Sequence, residues 1–366
     1  MDNKDIKLVS AESMFSNLNL SLPPNNEIVL DDHGLPSVMV KIPKLTYEDL
    51  GLPSSGTFPA WIVNGKEVPY IYISKYQNVV VDGRAYSLPY QIPAVYTNFD
   101  QAVEYCQAKG AGWHLMSNVE WQAIALWCAK NNCMPGGNNN TSYGDCYATS
   151  EKGAPVGMYD DNNGNIFPHT ATGSGPKSWF HNNDFSGIAD LNGNVSEWVG
   201  GIRMQNGEVN IIKDNDTVLH KDQGANSTEW QAILPGTNVN NATLVAPGTT
   251  GTLISIDGGL GVNGTDSKEA FASCVFNRLA SACSTALTNR IPKQAYAHGL
   301  IVPPITTERS DYAYIASIDE LVFDRGGFCI SGFESGIFNI HNFERSASAI
   351  SLGFRSAYVP GNLLTD

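Results

Sequence analysis

Residues 325–360 lie near the end of the sequence and read RGGFCISGFESGIFNIHNFERSASAISLGFRSAYVP. The segment opens on an arginine and two glycines and contains a Gly-Phe-Arg block near its end, at residues 353–355. A half-buried strand alternates apolar and polar residues with a period of two. Neither residues 328–331 nor residues 340–343 alternate cleanly. This pattern favours a loop-rich, partly exposed face over two core strands, although we assign Phe338 and Phe354 to the core.

Two helices with clear N-terminal caps are predicted upstream of this segment. Asn98 and Gln101 have the spacing of a capping box, and so do Ser117 and Glu120. Each pair is followed by apolar residues at helical spacing, and Gly110 can end the first helix. We therefore expect helices from Asn98 to Ala108 and from Ser117 to Lys130, both serving only to pack the core.

A third block, residues 188–199, reads IADLNGNVSEWV. Asn192-Gly193-Asn194 predicts a turn that needs positive φ. Trp198 has the size of a core anchor. Glu197 and Arg355 are expected to form a buried ion pair, an arrangement that more often sets specificity than stability.

Four of these blocks, taken in order, resemble the formylglycine-generating-enzyme (sulfatase-modifying factor) type of C-type-lectin fold. They are residues 114–121 (HLMSNVEW), 193–198 (GNVSEW), 325–327 (RGG) and 353–355 (GFR). Each block is weak alone, but four in order over about residues 70–360 are a strong signal. The resemblance implies an α+β domain that is loop-rich, with short antiparallel strands and a few helices.

The sequence predicts an N-terminal segment, one main domain and an insertion within that domain. Residues 1–60 are interrupted by Pro and Asn and are interpreted as an N-terminal arm or small module, a candidate oligomerisation element. Residues 61–366 are expected to form the C-type-lectin domain, with an insertion at about 200–310. A strand is expected over Tyr70–Tyr76 and a third helix over roughly Asp266–Leu287. Residues 131–183, rich in Gly, Asn, Asp and Ser, predict long loops.

Composition excludes several classes of protein. The formal net charge of −14 argues against a nucleic-acid partner, since phosphate binding needs a basic face. No apolar run approaches the roughly 20 residues of a membrane span. The first residues lack the basic and apolar regions of a secretory signal, so we expect a product made in the cytoplasm. Seven cysteines without a CxxC pair predict free thiols and no zinc site.

The C-terminal segment also resembles the variable region of proteins diversified by retroelements, a group that includes phage major tropism determinants. Their frame runs R-G-G, a variable cluster, G-x-x-(A/S)-G-(V/I)-F, a second cluster, R-S-x-S and (I/L)-G-F-R-S-A. In that system only template adenines mutate, so Tyr and Asn codons change while a pyrimidine third base persists. Lys, Gln, Met and Trp are then unreachable, and none occurs between Phe328 and Ser351.

The resemblance implies a set of variable, ligand-binding positions. They are Phe328, Cys329, Ile330, Ser331, Phe333, Asn339, His341, Asn342, Phe343, Ala347, Ile350 and Ser351. Glu334 and Glu344 cannot arise by that route and are interpreted as fixed scaffold. The expected ligand is a protein or glycan on a target cell surface. The expected setting is a phage tail fibre or a bacterial cell surface, with the chain as a homotrimer.

An enzyme is the alternative from a different class. Formylglycine-generating enzymes use two cysteines shortly after the R-G-G block, whereas Cys329 is followed by none. One thiol cannot build a two-thiol copper or redox site. His298 and His341 lack metal-ligand spacing. We therefore predict no catalytic residue, no metal and no cofactor. A third hypothesis, after the binding protein and the enzyme, is a structural virion subunit without a diversified face.

Overall fold

The computed structural model describes residues 22–160, 166–257, 259–268, 271–275, 283–301 and 309–365. Within them the α-helices are α1 (Phe99–Gln107), α2 (Asn118–Lys130) and α3 (Lys293–Ala297). The strands are β1 (Asn26–Leu30), β2 (Pro36–Pro43), β3 (Ile62–Val63), β4 (Lys66–Glu67), β5 (Tyr70–Ser74), β6 (Val79–Val81), β7 (Arg84–Tyr86), β8 (Trp113–Leu115), β9 (Pro155–Asp160), β10 (Ile166–Thr170), β11 (Ser196–Gln205), β12 (Glu208–Ile211), β13 (Gln231–Leu234), β14 (Thr243–Val245), β15 (Leu253–Ile256), β16 (Gly259–Val262), β17 (Phe271–Val275), β18 (Tyr312–Ala316), β19 (Glu320–Gly326), β20 (Gly336–Glu344), β21 (Leu352–Phe354) and β22 (Ser356–Tyr358).

Two sheets organise the described residues. A five-stranded antiparallel sheet has the order β1-β2-β5-β22-β8 and so joins strands from both ends of the chain. An eleven-stranded sheet follows the path β14-β13-β12-β11-β19-β20-β18-β17, with β15, β16 and β21 branching from it. Short strands, few helices and long connections make this the α+β, formylglycine-generating-enzyme-like C-type-lectin fold. The predicted fold class is confirmed.

Both predicted helices are present, and both capping boxes form. The Asn98 side chain accepts a hydrogen bond from the Gln101 amide at 2.9 Å, and the Gln101 side chain accepts one from the Asn98 amide at 3.0 Å. Ser117 and Glu120 make the same reciprocal pair at the start of α2. These bonds satisfy amides that the first helical turn leaves without partners. None of the helices in the described part of the chain is long and apolar enough to cross a membrane.

The predicted core anchors are buried. Trp198, Phe338 and Phe354 are almost fully enclosed, and the Trp198 indole donates a hydrogen bond to the Thr97 carbonyl at 2.8 Å. The predicted turn has φ of +75° at Gly193. A Cβ at this glycine would lie 2.1 Å from the carbonyl oxygen of Asn138, so the turn requires glycine for space as well as for conformation.

The predicted helix over Asp266–Leu287 is wrong in its described parts. Phe271–Val275 is strand β17 and pairs antiparallel with β18, and Thr285–Leu287 is a single 3-10 turn. Residues 276–282 lie outside the described residues. The predicted loops of residues 131–183 do contain long irregular stretches, but β9 and β10 also form an antiparallel hairpin there.

The N-terminal residues differ from the expected separate arm. Residues 1–21 lie outside the described residues. From Asn26 onward, β1 pairs with β2, and β2 pairs with β5 from the main domain. Apolar residues such as Tyr47 and Phe58 belong to the largest buried cluster. In the described residues this segment is therefore part of the sheet and core of the C-type-lectin domain.

Candidate functional site

The C-terminal segment 325–360 runs through both sheets. The first cluster of predicted variable residues, within residues 328–333, follows the end of β19. It lies in a loop that closes with the 3-10 turn Gly332–Glu334. The second cluster, within residues 339–343, lies on β20, which pairs antiparallel with β19 and parallel with β18. The prediction of an irregular segment thus holds for the first cluster and is wrong for the second.

Eight of the twelve predicted binding residues are accessible to some degree. Phe333 and Phe343 are the exposed ones, at 57% and 44% of their surface. Both values are high for phenylalanine in a folded protein, and exposed aromatics often mark contact surfaces. The half-buried members are Phe328, Ile330, Ser331, His341, Ala347 and Ser351.

The other four predicted residues, Cys329, Asn339, Asn342 and Ile350, are buried, so the predicted exposure of Asn342 and Ile350 is wrong. Cys329 and Ile350 pack against Phe167 of β10 in a small apolar cluster. The Asn342 side chain accepts a hydrogen bond from the Ala316 amide and donates one to the Ala316 carbonyl, both at 2.8 Å.

Asn339 is the fourth buried residue of the predicted set. Its side-chain amide donates to the Glu334 carbonyl at 2.9 Å. This bond ties β20 back to the 3-10 turn that precedes it. Asn339 and Asn342 therefore both use their side-chain amides to hold backbone groups of the protein.

A surface groove of about 530 Å³ lies on β20, between β18 and the turn that follows β20. Its walls are mostly apolar, and four of its lining residues belong to the predicted binding set. The groove is lined by Tyr314, Ala316, Ile318, Leu321, His341, Asn342, Phe343, Glu344 and Ala347. Its volume lies in the range of pockets that hold small ligands or single side chains.

Aromatic rings form a continuous row along this groove. Tyr312 stacks on Tyr314 with ring centroids 5.5 Å apart. Tyr314 meets the His341 ring edge-on at 5.1 Å, and His341 meets Phe343 edge-on at 6.1 Å. Edge-to-face contacts of this kind are favourable and hold the rings in fixed orientations. The row crosses from β18 to β20 and so joins the two walls.

Two titratable groups lie at the base of the row. His341 Nδ1 is 3.7 Å from a carboxylate oxygen of Asp324, which is fully buried on β19. Burial raises the pKa of Asp324 to about 7 and lowers the pKa of His341 to about 4. Both shifts favour neutral forms, because burial penalises charge. The His341 ring is therefore uncharged at neutral pH.

The first cluster has a different set of neighbours. Phe333 meets the ring of Tyr147 edge-on at 4.9 Å, and the Arg309 guanidinium lies 4.8 Å from the same tyrosine ring. Phe328 packs near Phe167 at 6.0 Å. This cluster is therefore supported by the segment around residues 140–170, whereas the groove is supported by β18.

The groove wall formed by Tyr314, Ala316 and Ile318 was not predicted from the sequence. A signal for it was present, because residues 312–316 read YAYIA, a short run with aromatic and β-branched residues that favours a strand. In the structure these residues alternate half-buried and buried. The pattern predicts a strand, but it does not indicate that this strand pairs with β20.

The Cys329 thiol is unsuited to nucleophilic chemistry. It is fully buried, and burial raises its pKa to about 12, so the reactive thiolate is scarce at neutral pH. Among the described residues, no three His, Cys, Asp or Glu side chains come together in a way that could hold a metal ion. The predictions of no catalysis and no metal stay predictions.

Comparison with known proteins relates the fold to one family. Residues 57–233 match the sulfatase-modifying factor enzyme 1-like domain. Among solved structures, PvdO from Pseudomonas aeruginosa aligns with a TM-score of 0.38 and 15% identity, over 93% of this chain and 100% of its own. Treponema denticola variable protein 1 aligns with a TM-score of 0.32 and 10% identity, over 92% of this chain and 100% of its own. No curated protein matches the sequence significantly. The match over residues 57–233 agrees with the formylglycine-generating-enzyme-like C-type-lectin fold described above.

Proposed function

We propose that this protein binds a ligand through a hypervariable surface in residues 325–360, a surface diversified by a retroelement. Its setting would be a phage tail fibre or a bacterial cell surface, and its ligand a molecule on a target cell. The observation that carries the proposal is the groove on β20. Four residues assigned to the variable set from sequence alone, His341, Asn342, Phe343 and Ala347, line one concave apolar surface.

The physical character of that surface supports binding. A soluble protein rarely leaves a concave apolar surface open to water without a use for it, because hydrating apolar area is unfavourable. Aromatic side chains supply large contact area with few rotatable bonds, as they do in antibody loops. Phe343 stands half-exposed at this groove, and Phe333 is exposed beside Tyr147.

The buried residues that flank the proposed surface support the expectation that the protein tolerates substitutions on it. Gly353, Phe354 and Arg355 are buried, and Arg355 donates hydrogen bonds to Glu197 and to the Ser74 carbonyl. These contacts use none of the exposed variable side chains. Substitution at the exposed positions should therefore leave the scaffold in place, which is what a diversified surface requires.

A display library tests this proposal directly. The library randomises the eight accessible variable positions and keeps every other residue, and it is selected against immobilised hen lysozyme as a defined protein target. We expect binders with micromolar or better Kd that keep the melting temperature of the parent. A matched library randomises eight exposed positions on β4 and β6 and their turns, and it should yield none. Equal yields from both libraries would contradict the proposal.

The genome around the coding sequence offers an independent check. A near-copy of the segment that encodes residues 325–360, placed beside a reverse-transcriptase gene, is expected. Its differences from the coding copy should fall at adenines of the template. A locus with no such copy would favour the structural virion subunit, which has no diversified face.

The alternative is a formylglycine-generating oxidase or a degenerate relative. The buried thiol of Cys329 and the lack of a later cysteine disfavour it. Purified protein with copper and a sulfatase-type cysteine peptide should give no turnover. Turnover that Cys329→Ser abolishes would support the enzyme instead.

We also propose a homotrimer, by resemblance to tropism determinants. Three copies that engage one surface would multiply a weak contact through avidity. Light scattering at micromolar concentration should give three times the 39.5 kDa chain mass. The monomer mass would contradict this arrangement.

A further inference from the structure

The groove on β20 has two walls of different origin. One wall, with His341, Phe343 and Ala347, comes from residues 325–360. The other comes from β18 and the residues just after it, with Tyr314, Ala316 and Ile318. The second wall lies outside the segment assigned to diversification. Ile318 is 57% exposed, a large apolar side chain open to water next to Phe343 in the same groove.

Two polar side chains of the groove, Asn342 and His341, already have partners within the protein. Both ends of the Asn342 amide bond the Ala316 backbone. The Nε2 of His341 lies 3.2 Å from the side-chain amide of Asn339, and its Nδ1 faces Asp324. Sugar recognition depends on side-chain donors and acceptors that point at hydroxyl groups. Asn342 and His341 therefore have few free hydrogen-bond donors and acceptors for sugar hydroxyl groups.

The charge at the groove is negative. Glu344 is its acidic lining residue and is exposed, and Asp319 is exposed in the turn between β18 and β19. The nearby Arg345 is held by Glu320 and Asp100, so its charge is compensated. The whole chain carries a formal net charge of −14. A partner with basic residues beside an apolar group would be complementary to this surface.

We propose that the groove binds a protein segment in which an aromatic or branched aliphatic side chain is flanked by Lys or Arg. The apolar side chain enters between Ile318 and Phe343, and the basic neighbour lies near Glu344. This inference rests on the proposed function of the same face and narrows its ligand from protein or glycan to protein. Ile318 and Tyr314 then set a fixed preference for an apolar group, while the variable wall selects among partners.

Two probes test the ligand class with the full chain. One is a display library of random 12-residue peptides, and the other is a glycan array. We expect enriched peptides with Phe, Trp, Leu or Ile within two positions of Lys or Arg, and no glycan signal above background. Selected peptides should bind Ile318→Asp and Phe343→Asp about tenfold or more weakly, as for residues central to an interface. Phe185→Asp, with 47% exposure far from the groove in sequence, is the matched control and should bind as wild type.

Charge is tested separately, with a variant on the exposed rim. Glu344→Lys should keep the melting temperature and shift the selected peptides from basic to acidic flanks. An unchanged flank preference would overturn the charge argument and the inference with it.

The outcomes separate this inference from the proposed function. Glycan binding that Phe343→Asp removes would overturn the protein-segment inference and leave a binding face in place. Selected peptides that bind both groove variants as tightly as wild type would overturn the inference alone. No peptide and no glycan bound, together with no binders from the randomised library, would overturn both.

Discussion

Arg355 donates hydrogen bonds to both carboxylate oxygens of Glu197, from Nε and from Nη2, at 2.5 Å each. Both side chains are buried. Arg355 is the single residue between β21, which belongs to the eleven-stranded sheet, and β22, which belongs to the five-stranded sheet. The ion pair therefore fixes the point at which the chain crosses from one sheet to the other.

Arg355→Met is expected to lower the free energy of unfolding by about 3–5 kcal/mol, because it leaves the Glu197 carboxylate buried without its partner. Arg355→Lys should rescue little, since an ammonium cannot make the two-pronged contact. Urea unfolding at neutral pH measures both. Lys177→Met, which breaks an exposed pair with Asp184, is the control and should change stability by less than about 1 kcal/mol. Equal effects at both sites would contradict the assigned role.

Phenylalanines of the C-terminal segment should differ sharply in their effect on stability. Phe343→Ser and Phe333→Ser change exposed side chains and are expected to stay within about 0.5 kcal/mol of wild type. Phe354→Ser empties a core position and should cost about 3–5 kcal/mol. Thermal unfolding of the three variants and of wild type measures these differences in stability. If the first two variants unfold as readily as the third, the segment is core and the diversified-surface proposal fails.

Asn342→Ala should destabilise the protein by about 1–3 kcal/mol, although a surface role was first predicted for this residue. The substitution removes both hydrogen bonds that the Asn342 side chain makes to the half-buried Ala316 amide and carbonyl. Phe343→Ser, at the next position along β20, is the matched control. Chemical denaturation that gives equal stability for both variants would show that the Asn342 bonds contribute nothing.

The pH dependence of stability should change in Asp324→Asn. Burial raises the pKa of Asp324 to about 7 in the folded chain, from 3.8 when exposed. Between these values the folded state keeps a proton that the unfolded state has lost, so the free energy of unfolding falls as pH rises. Asparagine has no such proton. The difference in melting temperature, variant minus wild type, should grow from pH 4 to pH 7 and then level off; a constant difference would refute the shift.

Structural features that depend on residues close together in the sequence were predicted correctly. The capping boxes join residues three apart, Asn98 with Gln101 and Ser117 with Glu120, so both helix starts could be predicted. Trp198 was assigned to the core by its size alone. Each of these predictions depends on chemistry that the chain carries locally.

Features that depend on distant partners could not be predicted. The segment Phe271–Val275 is a strand because β18 pairs with it, and Asn342 is buried because Ala316, 26 residues away, binds its amide. Cys329 is enclosed by Phe167 from the β9–β10 hairpin. Codon arguments predict which residues would vary, but exposure is decided by such long-range packing.

The burial of Cys329, Asn339, Asn342 and Ile350 has a consequence for the repertoire that the proposed mechanism could sample. Mutation of the template would act on all twelve positions alike, whereas we expect folding to tolerate change more readily at the eight accessible positions than at the four buried ones. Most clones altered at the four buried positions would be lost as misfolded chains before any ligand is met. Sequencing a population should then show wide diversity at Phe343 and Phe333 and a narrow set of residues at Asn342.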